Sequence, residues 1–265
     1  RGDDHRFARS NQELNVAPQR RPEDKDMMEL RSAAQRGIAN LGWLHSQHSF
    51  SFGSYYDPQH MGFSDLLVIN EDRVQPGRGF DPHGHRDMEI FSYVLEGALE
   101  HKDSLGTGSV IQPGDVQLMS AGTGVRHSEY NASRTAEVHF LQIWIVPDRK
   151  GVTPRYQQQH FSTQEKRGKL RLILSPDGAQ GSLALYQDAR VYAGLFDGDE
   201  TQRLALPAGR FTYVHLARGA LTVNGQRLAA GDGLKLRSVR DVHLTQGEGA
   251  EVLLFDLRAH EIPHY

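Results

Sequence analysis

Two short runs carry the residue types that hold metals: Pro82-His83-Gly84-His85-Arg86-Asp87-Met88-Glu89 and Val125-Arg126-His127-Ser128-Glu129-Tyr130-Asn131. Each contains a pair of potential ligands separated by one residue. On a β-strand successive side chains alternate faces, so His83 and His85 share one face, and so do His127 and Glu129. On a helix, residues two apart would diverge by about 200°. If a barrel lays the two strands side by side, three imidazoles and one carboxylate converge on its interior. That donor set suits a borderline divalent ion such as Fe, Ni, Cu, Zn or Mn, whereas Ca and Mg prefer all-oxygen shells. It leaves one or two positions open on a five- or six-coordinate ion, which direct binding of substrate or dioxygen requires. Either pair alone fits equally well as exposed polar residues of a strand. Their joint occurrence in one barrel-like pattern is what points to a metal. Glu89 has the strand parity of His83 and His85 and would face the same centre if the strand ran unbroken.

The elements that must position these residues read as strands. Ile90-Phe91-Ser92-Tyr93-Val94-Leu95 is β-branched and aromatic, and Glu96-Gly97 is a turn signal. Ser109-Val110-Ile111, Pro113-Gly114-Asp115 and Val116-Gln117-Leu118-Met119 continue the rhythm of short antiparallel strands joined by tight Gly/Pro turns, as in a jelly-roll barrel. Leu66-Leu67-Val68-Ile69-Asn70 reads as a buried strand, and Glu137 to Val146 as a central one ended by Pro147. His45 and His48 are expected to be structural or surface residues, and His139 a satisfied histidine of the sheet. His101 stands outside any ligand pair and reads as a hydrogen-bonded surface or rim histidine.

Composition bounds the rest. The chain has 265 residues and a net charge of −3, with no basic excess that would suggest nucleic-acid binding. No apolar run approaches the roughly 18 residues needed to span a bilayer, and no secretory signal pattern opens the chain. Cysteine is absent, so any metal must be held by histidine and carboxylate. These features are those of a cytoplasmic protein. The polar residues 1–27 are expected to form a disordered arm, and the initial Arg1 suggests a processed or truncated start. Arg258 to Tyr265 reads as a frayed tail.

After a crossover over residues 148–182, with one apolar strand at 170–174, a second barrel pattern appears. Gly219-Ala220-Leu221 echoes Gly97-Ala98-Leu99, and Gly231-Asp232 echoes Gly114-Asp115. Asn224-Gly225 between strands is a type I′ hairpin signal. The second copy lacks His-x-His, and Thr245 stands where Glu129 does in the first, so His243 alone is left there. The expected organisation is all-β, two tandem jelly-roll β-barrels: a metal-binding barrel over 28–150 and a second barrel without a metal site over 151–265.

The motifs together resemble the pirin family of the cupin superfamily, in particular its bacterial quercetinase-like members. The resemblance rests on His-Ser-Phe-Ser-Phe (48–52), Tyr-Tyr-Asp-Pro (55–58), His83-x-His85, Tyr-Val-Leu-Glu-Gly (93–97), Glu-His-x-Asp-Ser (100–104), Pro-Gly-Asp-Val-Gln (113–117) and the run from Ser120 to Asn131. It covers about residues 28–258, with Gly84 where the family usually has proline. The resemblance implies that His83, His85, His127 and Glu129 are the metal ligands and that Glu89 is an inward neighbour. It implies one divalent metal, iron first, with Ni, Cu, Zn, Mn and Co as alternatives. The implied activity is oxidative cleavage of a flavonol such as quercetin by O2 with loss of carbon monoxide, Glu129 taking the proton of the 3-hydroxyl. The same family resemblance admits a non-catalytic reading, an iron-dependent redox sensor that binds a protein partner. No direct contact with nucleic acid or membrane is expected in either case.

Overall fold

The computed structural model describes residues 27–261; apart from Met27, the expected arm lies outside the described residues, as do residues 262–265. Alternating burial along β-branched and aromatic segments folds the chain into three largely antiparallel sheets. A four-stranded sheet has the order Gly79–His85, Val125–Asn131, Leu99–Asp103, Gly108–Ile111. A seven-stranded sheet has the order Arg155–His160, Asp115–Ser120, Glu89–Glu96, Val138–Ile145, Leu66–Val74, Leu44–His48, Gly37–Asn40. Leu44, Val74, Val94, Leu99, Ile111 and Phe140 pack between these two sheets and close the first barrel. The remaining nine strands form one strongly curled sheet, dominated by Arg210–Val223 and Asp241–Arg258. Its interior is filled by Val214, Leu221, Leu234, Leu244 and Val252.

The largest core lies between the barrels. Phe91, Tyr93, Leu141 and Ile143 of the seven-stranded sheet meet Ile173, Ala193, Tyr213 and Phe255 of the nine-stranded one. The chain is therefore all-β, with two tandem jelly-roll barrels as the sequence pattern implied, and the structure joins them face to face. The faint repeat is visible in the backbone. Gly97 and Gly219 both have positive φ (78° and 71°), as do Gly114 and Gly231 (96° and 86°), so each barrel turns at the same two places. Asn224 and Gly225 both have positive φ, as a type I′ turn requires.

Two strands cross the boundary expected near residue 150. Met28–Arg31 pairs with Gly233–Arg237 of the nine-stranded sheet, and Arg155–His160 pairs with Asp115–Ser120 of the seven-stranded one. The second of these, Arg-Tyr-Gln-Gln-Gln-His, has no apolar alternation and is not recognisable as a strand from local residues. It covers what would otherwise be an open sheet edge. The expected tail also begins later than its composition suggests. Arg258 ends the last strand and forks onto Asp65 through Nε (2.5 Å) and Nη2 (2.8 Å), tying the carboxy-terminal barrel to the amino-terminal one. Among the described residues, no helix is long and apolar enough to cross a membrane.

Candidate metal centre and its cavity

The edge strand Gly79–His85 pairs with Val125–Asn131 so that His127 lies directly opposite His83. Alternation keeps His85 on the same face as His83. The ligand-capable nitrogens of His83, His85 and His127 all fall within 4.8 Å of one another. The Nε2 atoms of His85 and His127 are 3.0 Å apart. Two donors at roughly 2.1 Å from a shared ion are separated by about 3.0 Å when cis in an octahedron and about 3.4 Å in a tetrahedron. The spacing therefore fits a common ion, and three imidazoles are the donors that borderline metals favour.

Electrostatics supports the fit. Burial, with the neighbouring His83, brings the His85 imidazole down to about 4. Burial, with the facing His83, His85 and His101, brings His127 down to about 2. Both are neutral at physiological pH and present lone pairs. His83 Nδ1 sits 2.7 Å from the Asp81 carbonyl, and donation there leaves Nε2 free.

Glu129 occupies a different position from the three imidazoles. The pairing register slips between His127 and Glu129, placing Glu129 opposite Phe80. The extra residue falls beside Pro82, which has no N–H to offer the ladder and is tolerated on this edge strand. The Glu129 carboxylate groups with His127 and His101, not with the His83–His85–His127 set. It accepts hydrogen bonds from Ser92 Oγ (3.3 Å) and Gln142 Nε2 (2.7 Å). Burial, reinforced by the nearby Asp72 carboxylate, pushes it up to about 7 against those two donors. Glu89 does not share the centre. The backbone turns at Asp87 (φ 47°), and Glu89 begins a strand of the other sheet, where it accepts from Ser120 Oγ and the Tyr186 N–H.

The centre opens onto a cavity of about 370 Å³ lined by apolar Leu44, Phe52, Phe80 and Trp144 and by His48, Asn70, Asp72 and Gln142. That volume is within the roughly 300–1,000 Å³ usual for small-molecule sites. Trp144 stands edge-on to His85 (ring centroids 5.1 Å apart) and to Phe52 (5.4 Å). Asn70, Gln142 and Ser92 are consecutive cross-strand neighbours, with His48 opposite Asn70, so a polar row crosses the otherwise apolar floor.

Three residues in or beside the site were not singled out for it by sequence reasoning. His48 is buried against the cavity, its Nδ1 2.7 Å from Asn70 Oδ1. Asp72 is buried and pushed up to about 7 by that burial. His101, expected at the surface or rim, is fully buried and bonds Asp103 Oδ2 at 2.7 Å. Its spacing from Asp103, one residue between them, was the available signal. His139 Nε2 bonds Glu71 Oε1 at 2.8 Å, but its buried Nδ1 has no hydrogen-bond partner among the described residues, so the histidine is only half satisfied; His243 is exposed on the second barrel.

The pirin family model matches residues 29–145, and a quercetinase C-terminal cupin domain model matches residues 172–257. The chain is 47% identical over 231 residues to quercetin 2,3-dioxygenase of Escherichia coli K12, covering 87% of this chain and 99% of that protein. It is 44% identical to a putative quercetin 2,3-dioxygenase of Pseudomonas aeruginosa, covering 87% of this chain and all of that one (100%). The crystal structure of the bacterial pirin YhhW from E. coli in complex with nickel(II) superposes with a TM-score of 0.84 at 45% identity, covering 88% of this chain and 100% of that one. Similarity of this extent across both barrels, added to the shared fold, establishes that the chain belongs to the pirin family.

Proposed function

We propose that the chain is a metal-dependent dioxygenase of the pirin type that cleaves a flavonol such as quercetin with O2. The observation that carries this reading is the set of three mutually facing imidazoles beside a buried carboxyl on the wall of an apolar cavity. His83, His85 and His127 are proposed as ligands, with Glu129 as the fourth. Iron is the proposed ion; nickel, which YhhW holds, and Cu, Zn, Mn and Co suit the same donors. When bound, the metal supplies a Lewis acid that draws charge from substrate oxygen.

The chain's own residues supply the rest. A carboxyl held near 7 is matched to accepting a proton at neutral pH, so Glu129 is assigned as the base toward the flavonol 3-hydroxyl. Ser92 and Gln142 aim it. Phe80, Leu44 and Trp144 offer flat apolar walls to an aromatic ligand. We assign the metal-bearing role to the barrel of residues 28–150. The barrel of 151–265 is assigned a closing role without a metal, because Thr245 replaces the carboxylate and His243 faces solvent. A cytoplasmic location is proposed on the cysteine-free composition.

Quercetin-dependent oxygen uptake tests the reading: it is expected in the wild type and absent in His83→Ala and His127→Ala. Unaltered turnover in those variants rejects the site. The redox-sensor alternative predicts partner capture that depends on the Fe(II)/Fe(III) state with negligible flavonol turnover.

A further inference from the structure

His127 has two ring nitrogens, and only one faces the other proposed ligands. Its Nε2 lies 3.0 Å from His85 Nε2, while its Nδ1 lies 3.4 Å from Nδ1 of His101. The opposite nitrogen of His101, Nε2, is 2.7 Å from Asp103 Oδ2. Both the His101 and Asp103 side chains are fully excluded from solvent (0% each). The other carboxylate oxygen, Asp103 Oδ1, accepts the backbone N–H groups of Leu105 (2.9 Å) and Thr107 (3.0 Å). Gln117 Nε2, an amide donor, also approaches His101 Nδ1 at 3.4 Å, and Tyr156 covers the His101 ring at 4.9 Å.

These contacts admit one consistent proton arrangement with a neutral His127 that binds through Nε2. A carboxylate can only accept, so His101 carries its proton on Nε2 and donates it to Asp103. His101 Nδ1 is then a bare acceptor, and the proton on His127 Nδ1 points at it. His127 Nε2 is left with its lone pair toward His83 and His85. Strand pairing builds this row: Leu99–Asp103 lies beside Val125–Asn131 with Asp103 opposite His127 and His101 opposite Glu129.

We infer that His101 and Asp103 are positioning residues for the metal centre, a buried carboxylate–imidazole pair that fixes the tautomer and ring orientation of His127. The inference rests on the metal-site reading above and does not depend on the substrate. Partners of this kind typically change metal affinity by 10–100-fold when removed.

The test is calorimetric titration of the full, chelator-stripped chain with Ni(II). Asp103→Asn and His101→Phe are each expected to weaken nickel binding 10–100-fold. His101→Gln, whose amide can accept and donate in the same row, is expected to lose less. The double variant should be little worse than the weaker single one, because the two residues act as a unit. Melting of the metal-free proteins controls for folding. His101→Gln leaves the Asp103 turn intact if Asp103→Asn unfolds it. A spectroscopic readout separates positioning from packing. In Zn(II)-loaded, nitrogen-15 histidine-labelled protein, His127 should appear Nδ1-protonated with a slowly exchanging proton, and this signal should be lost in His101→Phe. Nickel affinities of the His101→Phe and Asp103→Asn variants within twofold of wild type overturn the inference. So does a second nickel per chain that disappears in His101→Phe, which would make His101 a ligand. A wild type that takes up no nickel overturns the inference together with the site reading, whereas nickel uptake without quercetin turnover overturns only the proposed reaction.

Discussion

Glu71→Gln separates what holds the cavity wall from what works inside it. On the strand Leu66–Val74, Asn70 and Asp72 face the cavity and Glu71 faces the opposite way. Its carboxylate accepts from Arg36 Nη1 at 2.7 Å and from His139 Nε2 at 2.8 Å. Burial alone would raise this carboxyl, but the His139 and Arg36 donors overcome it and hold Glu71 at about 2 instead of 4.5. At 1.36 kcal/mol per tenfold change in acidity, that depression corresponds to roughly 3 kcal/mol of stability. The side chain is only 12% exposed, so solvent screening removes little of it. Breaking one partner of a buried pair costs about 3–5 kcal/mol, the same order. For a chain of this size the loss corresponds to a melting temperature lower by roughly 6–12 °C. The sign with pH follows from the depressed value. The contribution is complete above pH 4.5 and is lost as pH falls from 4.5 toward 2. Urea unfolding of both proteins at pH 7, 4.5 and 3 should therefore show a wild-type advantage that is largest at pH 7 and shrinks below 4.5. Nickel titration should be unchanged, because Glu71 is on the far face of the sheet from the cavity. An advantage under about 0.5 kcal/mol at pH 7, or one that persists undiminished at pH 3, refutes the reasoning.

Other perturbations probe the site itself. Gln142→Leu removes the 2.7 Å donor from Glu129, a bond to a charged group worth about 1.5–3 kcal/mol. It should raise the Glu129 carboxyl further and move the acid limb of quercetin-dependent oxygen uptake alkaline by at least about one pH unit; a limb that stays put counts against Glu129 as base. A Cβ at Gly79 would lie 2.3 Å from the Glu129 carbonyl oxygen and 2.5 Å from Tyr130 Cα. Gly79→Ala should therefore push the strand of His83 and His85 off its neighbour, costing about 1–3 kcal/mol and weakening nickel binding; wild-type values in both assays would show that the close approach is dispensable. Stripping metal with a chelator should abolish oxygen uptake, and adding Fe(II) or Ni(II) should restore it. Turnover by verifiably metal-free protein would contradict the proposed chemistry.

Local residue order determined a good deal of this protein. Strand alternation put His83 with His85 and His127 with Glu129 on common faces, and turn residues marked both barrels, down to the paired positive-φ glycines at 97 and 219. It determined no pairing between strands, because alternation specifies a face and says nothing about which distant segment lies opposite. Register is a long-range property. Only the tertiary structure placed His127 against His83, slipped the ladder beside Pro82 so that Glu129 rests on Ser92 and Gln142, and carried strands 28–31 and 155–160 across to the other barrel. The same long-range pairing turned His101, which read as a surface or rim histidine along the chain, and its neighbour Asp103 into a sealed row behind a proposed ligand.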